Sequence, residues 1–183
     1  MAMIFTQTDS ATGVCVDTTN GRICTVGGTA GSSAVSLSVA GDAAGETEHP
    51  FTCSVSDGTT RSTGEWTTRL SVTTSNMNLS IVRLSILRYN SSCVYQETIA
   101  DLAVSISLGT TGVKTQAITA IGTGGADGDL LVIIYYIANG SMNSQSFSFT
   151  PSQNIDSPFT AAAVFIAKPS FIVRQAVNRA STY

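Results

Sequence analysis

The sequence predicts an all-β fold, an antiparallel β-sandwich arranged like a jelly roll with about 9–10 strands. Residues 130–137 form an unbroken run of eight apolar or aromatic residues between turn-forming Asp-Gly and Asn-Gly pairs. A run of this kind indicates a strand whose two faces are both covered. Shorter alternating segments recur along the chain with turn residues between them, and no long helical period interrupts them. Together these patterns favour two packed antiparallel sheets.

The length of the chain fits one domain, since it has 183 residues. We assign residues 1–167 to the sandwich and residues 168–183 to a C-terminal tail, because Lys168-Pro169 interrupts the strand pattern. The small apolar stretch 159–167 is predicted to be the last strand of the domain.

The first part of the chain predicts short strands separated by turns. Ile4-Phe5 and residues 12–17 are extended, and Asn20-Gly21 favours a hairpin leading into residues 23–26. Residues 34–40 alternate apolar and serine positions, which predicts a half-buried strand. Phe51, Cys53 and Val55 predict the next strand.

The middle of the chain predicts a longer hairpin. Trp66 shares one face with Thr68, Leu70 and Val72, and it is expected to anchor the core. In the following strand Leu79 and Ile81 are out of phase with Val82, Leu84 and Ile86, so a bulge is expected near Ile81-Val82. Residues 93–102 are ambiguous and are compatible with one helical turn. Further strands are predicted at 104–108, 113–121 and 146–150.

The low content of charged residues indicates which classes of partner the chain can bind. Charged residues make up 11% of the chain, against roughly 25% in a typical soluble domain. A surface so poor in charge is weakly protected against association, which favours contacts with other subunits. The net charge of −3 and the scattered basic residues argue against nucleic acid. No apolar run is long enough to predict a membrane span, and residues 1–6 lack the pattern of a secretory signal, so folding in a cytosol is expected.

The four cysteines show no metal-binding spacing. Free buried thiols are the expected state in a cytosol, with a Cys15–Cys24 pair across the Asn20-Gly21 hairpin as the alternative. No metal or other cofactor is predicted.

No catalytic set is evident, and the chain is interpreted as a non-enzyme. His49 is the only histidine, and it lies beside Asp42, Glu46 and Glu48 in a stretch that we interpret as a solvated loop. The Gly124–Asp129 loop offers too few carboxylates for calcium and is interpreted as a turn. No phosphate-binding or dinucleotide-binding motif is present.

Two parts of the chain, residues 64–74 with 79–90 and residues 138–159, resemble small β-sandwich proteins from the structural gene regions of tailed bacteriophages. The resemblance implies a virion structural protein, and a capsid decoration (cement) protein is the leading interpretation. It would bind across subunits of the major capsid protein as a homo-oligomer, with a trimer favoured. It would be made in the host cytoplasm and would lie on the capsid surface.

The resemblance also places partner binding at both termini, on Ile4 and Phe5 and on the apolar tail residues Phe171, Ile172, Val173, Arg174 and Val177. From the residues alone, the tail packs equally well on its own subunit or on a partner. The alternative function is a carbohydrate-binding or receptor-binding module of a tail fibre or spike, with Tyr89, Tyr95, Trp66 or Tyr135 as stacking platforms.

Overall fold

The structure is a computed structural model that describes residues 2–10, 15–16, 21–26, 29–41, 47–54, 64–120 and 129–160. This part of the chain is all-β and contains no helix, as the sequence predicted. It forms eleven strands: β1 (Ala2–Gln7), β2 (Arg22–Val26), β3 (Val35–Val39), β4 (Thr47–Ser54), β5 (Gly64–Thr74), β6 (Leu79–Tyr89), β7 (Tyr95–Ser107), β8 (Gly112–Ala120), β9 (Leu130–Asn139), β10 (Gln145–Thr150) and β11 (Asn154–Thr160).

Eight of these strands form the two sheets of a jelly roll. The first sheet has the order β4-β9-β6-β7 and the second has the order β3-β10-β5-β8, with every neighbouring pair antiparallel. The other three strands link the sheets along one side in the order β11-β1-β2, where β11 pairs with β5 and β2 runs parallel to β4. The predicted sandwich is therefore confirmed, with more strands than the sequence indicated.

The core lies between the two sheets. Trp66, Phe51, Phe147 and Phe149 are all fully buried there, so the prediction that Trp66 anchors the core is confirmed. The inward positions of β5 are the predicted Trp66, Thr68, Leu70 and Val72. Each fully buried large apolar side chain of this kind contributes roughly 1.5–3 kcal/mol.

Both faces of β9 are covered, as its apolar run predicted. Leu131, Ile133 and Tyr135 point into the main core. The alternate residues Val132, Ile134 and Tyr136 belong to a second cluster on the outer face of the first sheet, where Cys15 and Val16 pack on it. The chain thus covers both faces itself, without a neighbouring subunit.

The predicted bulge in β6 is confirmed, because the register shifts between Ile81 and Arg83 against both neighbouring strands. The bulge returns Leu84 and Ile86 to the core side but leaves Val82 on the second cluster. Val82 therefore does not share a face with Leu84, contrary to the sequence interpretation.

Two local interpretations are wrong. The helical turn considered for residues 93–102 does not form, because β7 is one strand from Tyr95 to Ser107. Residues 47–50, interpreted as part of a solvated loop, begin β4 and pair with β9. The long apolar partner strand β9 explains the second result, since it offers hydrogen bonds and an inner face to any extended neighbour.

Several predictions fall on residues outside the described ranges. They include the strand at residues 12–14 and 17, the Gly124–Gly128 turn and the tail 168–183. The last described strand, β11, ends at Thr160. The boundary proposed at residue 167 therefore stays a prediction.

Candidate binding surfaces

The residues predicted to bind a partner lie partly outside the described chain. Phe171, Ile172, Val173, Arg174 and Val177 belong to the undescribed tail. The backbones of Ile4 and Phe5 lie in β1, which is hydrogen bonded between β11 and β2. This strand is an internal member of the sheet, so its backbone is already used in pairing.

His49 is a core residue. Its ring lies 4.5 Å from the ring of Phe149 and 5.1 Å from that of Phe51, measured between centroids, and it is fully buried. The neighbouring Glu48 is exposed, since strand alternation sends the two side chains to opposite faces. An acid–base pair of Glu48 with His49 therefore does not form. Among the described residues, no group of three or more His, Cys, Asp or Glu is placed to hold a metal ion.

The prediction of free thiols is wrong. Cys15 and Cys93 form a disulfide across 78 residues of sequence, and Cys24 is also disulfide-bonded. The alternative Cys15–Cys24 pair is wrong as well. Cys93 lies at the tip of the β6–β7 hairpin, which brings it to the N-terminal segment that covers the outer face of the first sheet. Cys15 and Cys93 come together only in the folded chain, so their spacing along the sequence did not indicate the bond.

The β6–β7 hairpin, residues 89–95, is fixed by its own turn as well as by the disulfide. The side-chain oxygen of Asn90 accepts hydrogen bonds from the backbone N–H groups of Ser92 and Val94. Cys93 has a φ of 59°, a left-handed conformation that non-glycine residues rarely adopt. The turn therefore presents its side chains in a defined arrangement.

Two tyrosines flank this turn. Their rings, from Tyr89 and Tyr95, pack edge to face with centroids 5.8 Å apart. The Tyr95 hydroxyl is hydrogen bonded with Thr98 at 3.0 Å, and Tyr95 is 51% exposed. The other two proposed stacking platforms, Trp66 and Tyr135, are buried in the core. Of the four proposed stacking platforms, only Tyr89 and Tyr95 can therefore meet a ligand from solvent.

A second surface feature lies on the outer face of the first sheet. The Arg83 guanidinium sits 3.7 Å above the centre of the Tyr136 ring, which is a cation–π contact. The Ser85 hydroxyl donates to Asp101 at 2.5 Å, and Arg83 lies 3.9 Å from the same carboxylate. Burial, with a contribution from the Glu48 charge, raises the pKa of Tyr136 above its ordinary value. Tyr136 therefore stays protonated at neutral pH.

Arg88, in β6, pairs with a carboxylate of β7 and with another just before β9, at the hairpin end of the first sheet. It donates to Glu97 at 2.7 Å and to Asp129 at 3.0 Å. Burial of the guanidinium opposes its charge, but the two hydrogen-bonded carboxylates outweigh burial and raise the pKa of Arg88. The antiparallel hairpin register places Arg88 opposite Glu97, a pair that the sequence interpretation missed because it left residues 93–102 ambiguous. The Asp129 contact was not predicted either, because Asp129 lies 41 residues further along the chain, just before β9.

Within the described residues, no helix has the length and apolar character needed to cross a membrane. No protein-family model and no curated protein matches the chain. Among solved structures, two of a CocE/NonD family hydrolase from Staphylococcus aureus are similar at TM-scores of 0.45 and 0.47, with 11% and 10% sequence identity. The matches cover 85% of this chain but only 36% of the hydrolase, so the chain spans about a third of that protein's length. At this TM-score the likeness carries no conclusion about activity.

Proposed function

We propose that the protein is a virion structural protein, a capsid decoration protein that binds across subunits of the major capsid protein and stabilises the shell. The resemblance of residues 64–74 and 79–90 to bacteriophage β-sandwich proteins supports the proposal. In this proposal the protein is a homo-oligomer, most simply a trimer, on the capsid surface. Disulfides such as Cys15–Cys93 persist on virion surfaces, which agrees with that location.

The observation that carries the proposal is the edge strand β8. Among the described strands, β8 pairs only with β5, over nine consecutive residue pairs without a register shift. It contains no proline and a single charged residue, Lys114. Such a regular, weakly charged edge readily pairs with another chain, and soluble monomers usually protect it.

The other long edge strand, β7, is protected. It pairs only with β6 among the described strands, and its register against β6 shifts three times. Bulges of this kind twist an edge away from pairing. The difference between the two edges supports association through β8 rather than β7.

The test combines oligomeric state with binding to shells that lack the protein. We expect the purified protein to form a stable oligomer by light scattering and to add to such shells. Ala117→Lys on β8 should weaken both properties, because it places a charge on the unprotected edge. Ala103→Lys, equally exposed but on the bulged strand β7, is the matched control and should leave both unchanged. A strict monomer that ignores shells contradicts the proposal.

A second candidate function is carbohydrate binding by a tail-fibre or spike module. The exposed Tyr95 ring packed on Tyr89 favours it, since sugars stack on accessible aromatic rings held in place. In a glycan screen, a bound sugar should be lost with Tyr95→Ala and retained with Trp66→Phe, because Trp66 is buried. If no glycan binds the wild-type protein, this candidate is eliminated.

A further inference from the structure

The two sides of the sandwich are closed differently. On one side, strands β11, β1 and β2 bridge the two sheets, from β5 of the second sheet to β4 of the first. On the other side the sheets end in the neighbouring strands β7 and β8, each of which pairs on one edge alone among the described strands. We call the side bordered by β7 and β8 the open side.

The inner face of the open side carries apolar side chains that are only partly covered. Leu102, Val104 and Ile106 of β7 pack against the main core but are half-buried. Ile118 of β8 is buried and pairs with Trp66, so it points into the same core. Half-buried apolar side chains at the border of a core gain free energy when a further strand covers them.

The second half of β8 is suited to pair with another strand. Lys114 donates to the Thr110 hydroxyl at 2.7 Å, which holds its charge near the start of β8, and a charge discourages pairing there. Residues 115–120 contain no charge and no proline, and they pair with β5 without a register shift. The Gln116 side chain donates to the Ala117 carbonyl at 2.7 Å, a contact that a backbone N–H of an added strand can replace.

The chain that follows β11 supplies a segment of matching composition. β11 ends at Thr160, and residues 161–167 are Ala, Val, Phe and Ile without a charge or a polar side chain. Lys168 and Pro169 end this segment, since proline has no N–H to donate to a sheet. Its seven residues match the six that are available on β8.

The segment cannot pair in full with β8 of its own subunit. β11 and β8 lie on opposite edges of β5, because Asp156 and Ala117 are both register partners of Thr67. A strand outside β8 would therefore lie three strand spacings from β11, or about 14 Å. Crossing that distance takes at least four residues at about 3.4 Å each, which leaves only residues 165–167 before Lys168-Pro169.

A second copy of β8 does not suit the proposed trimer. Two β8 strands that pair with each other make a twofold contact, which closes at a dimer. A trimer needs a heterologous contact, in which β8 meets a different surface of the neighbour. Strand β7 is bulged, and β1 is already paired on both edges. Residues 161–167 of a neighbouring copy meet the requirement.

We propose that residues 161–167 of one copy pair with residues 115–120 of β8 in a neighbouring copy, and that this exchange closes the oligomer. The inference rests on the proposed function, from which it takes the oligomer, and it names the segment that β8 binds. The added strand covers the half-buried apolar side chains of the open side.

The test uses full-length variants that each block one partner of the exchange. Ala117→Lys places a charge on β8 and leaves residues 161–167 intact, whereas Val164→Pro removes an N–H from the middle of that segment and leaves β8 intact. Each variant alone should dissociate at about 100-fold higher concentration than wild type, measured by light scattering. Ser181→Pro, outside the segment, is the matched control and should assemble like wild type. Emission of the buried Trp66 should be unchanged in every variant, which reports a folded core.

Mixing the two blocked variants tests the exchange directly. The intact segment of Ala117→Lys can pair with the intact β8 of Val164→Pro, so an equimolar mixture should form a dimer at concentrations where each variant alone is monomeric. Amide hydrogen exchange at residues 115–120 of Val164→Pro should slow in the mixture. A mixture that stays monomeric overturns the inference.

The outcomes separate this inference from the proposed function. If Val164→Pro assembles and binds shells like wild type, the exchange is wrong and the decoration function stands. If wild type assembles but ignores shells, the decoration function fails, and dimer formation on mixing would still support the exchange. A strictly monomeric wild type overturns the exchange. Slow hydrogen exchange at residues 115–120 of that monomer, lost in Val164→Pro, would then show that the segment pairs within its own subunit.

Discussion

The two ends of the sandwich are fixed by different interactions. One end, formed by the connections 75–78, 108–111 and 140–144, is held by neutral hydrogen bonds from Asn76 and Asn139, and we call it the asparagine-held end. The opposite end, at the β6–β7 hairpin, is held by the Arg88 ion pairs and the Cys15–Cys93 disulfide. Amide side chains order the loops of the first end through neutral hydrogen bonds, whereas ion pairs and a disulfide order the hairpin. The loops at the two ends are therefore ordered by different kinds of interaction, and a change at one end can leave the other intact.

The largest effect should come from removing the disulfide. Cys15→Ser/Cys93→Ser opens a loop spanning 78 residues, and we expect the free energy of unfolding to fall by about 4 kcal/mol. Urea unfolding measures the loss. Hydrogen exchange should speed up at the hairpin while the Asn76 and Gly140 amides keep their protection at the asparagine-held end. An equal rise in hydrogen-exchange rate at both ends would contradict this prediction.

Arg88→Met should have the next largest effect. It leaves the Asp129 carboxylate, whose side chain is 4% exposed, buried without its cation. Breaking a buried ion pair in this way costs about 3 kcal/mol. Arg83→Met is the control, because the Arg83–Asp101 pair is longer and more exposed, and it should cost below about 1 kcal/mol. Thermal or urea unfolding of the two variants measures these costs. Similar losses of unfolding free energy in both variants would contradict the prediction.

Asn139→Ala tests the asparagine-held end. It removes the donors to Val39, Ala40 and Asn143, and we expect a loss of about 2 kcal/mol because carbonyl groups at a buried site lose their partners. The exposed Asn143→Ala should stay within about 0.5 kcal/mol of wild type. Neither variant should change the salt dependence of unfolding. A salt-dependent effect of Asn139→Ala would contradict the view that this side chain acts through neutral hydrogen bonds.

The smallest expected effect is a change in stability at alkaline pH that comes from Tyr89. Burial, then the Glu48 charge, raises the pKa of Tyr89 above 10.0. Its contribution to stability is therefore complete below pH 10 and is lost as the pH rises through the higher folded-state pKa. Tyr89→Phe should reduce the fall in the urea midpoint between pH 9 and pH 11, with tyrosine ionisation followed by ultraviolet absorbance. The connections of the asparagine-held end contain no tyrosine, so their amide protection relative to the rest of the chain should not change over this range.

Strand positions were largely predictable, because alternation and turn residues are local signals. The Trp66 face, the β6 bulge and the covered β9 all follow from side-chain order along one strand. The disulfide and the exposed tyrosines of the candidate binding surface were less predictable. The Cys15–Cys93 bond joins residues that only the fold brings together. Sequence alternation could not show that Tyr135 faces the core while Tyr95 faces solvent, since that requires knowing which strands are neighbours.

The pairing of β3 with β10 constrains how the protein can be made. Ser36 and Ser148, whose hydroxyls meet across these strands, are separated by 112 residues. A ribosome adds about 5–20 residues per second, so the early strand waits roughly 6–20 seconds for its neighbour to be synthesised. During that interval a chaperone or a second nascent chain can occupy the vacant position. We therefore expect yield in a heterologous host to depend on translation rate and temperature.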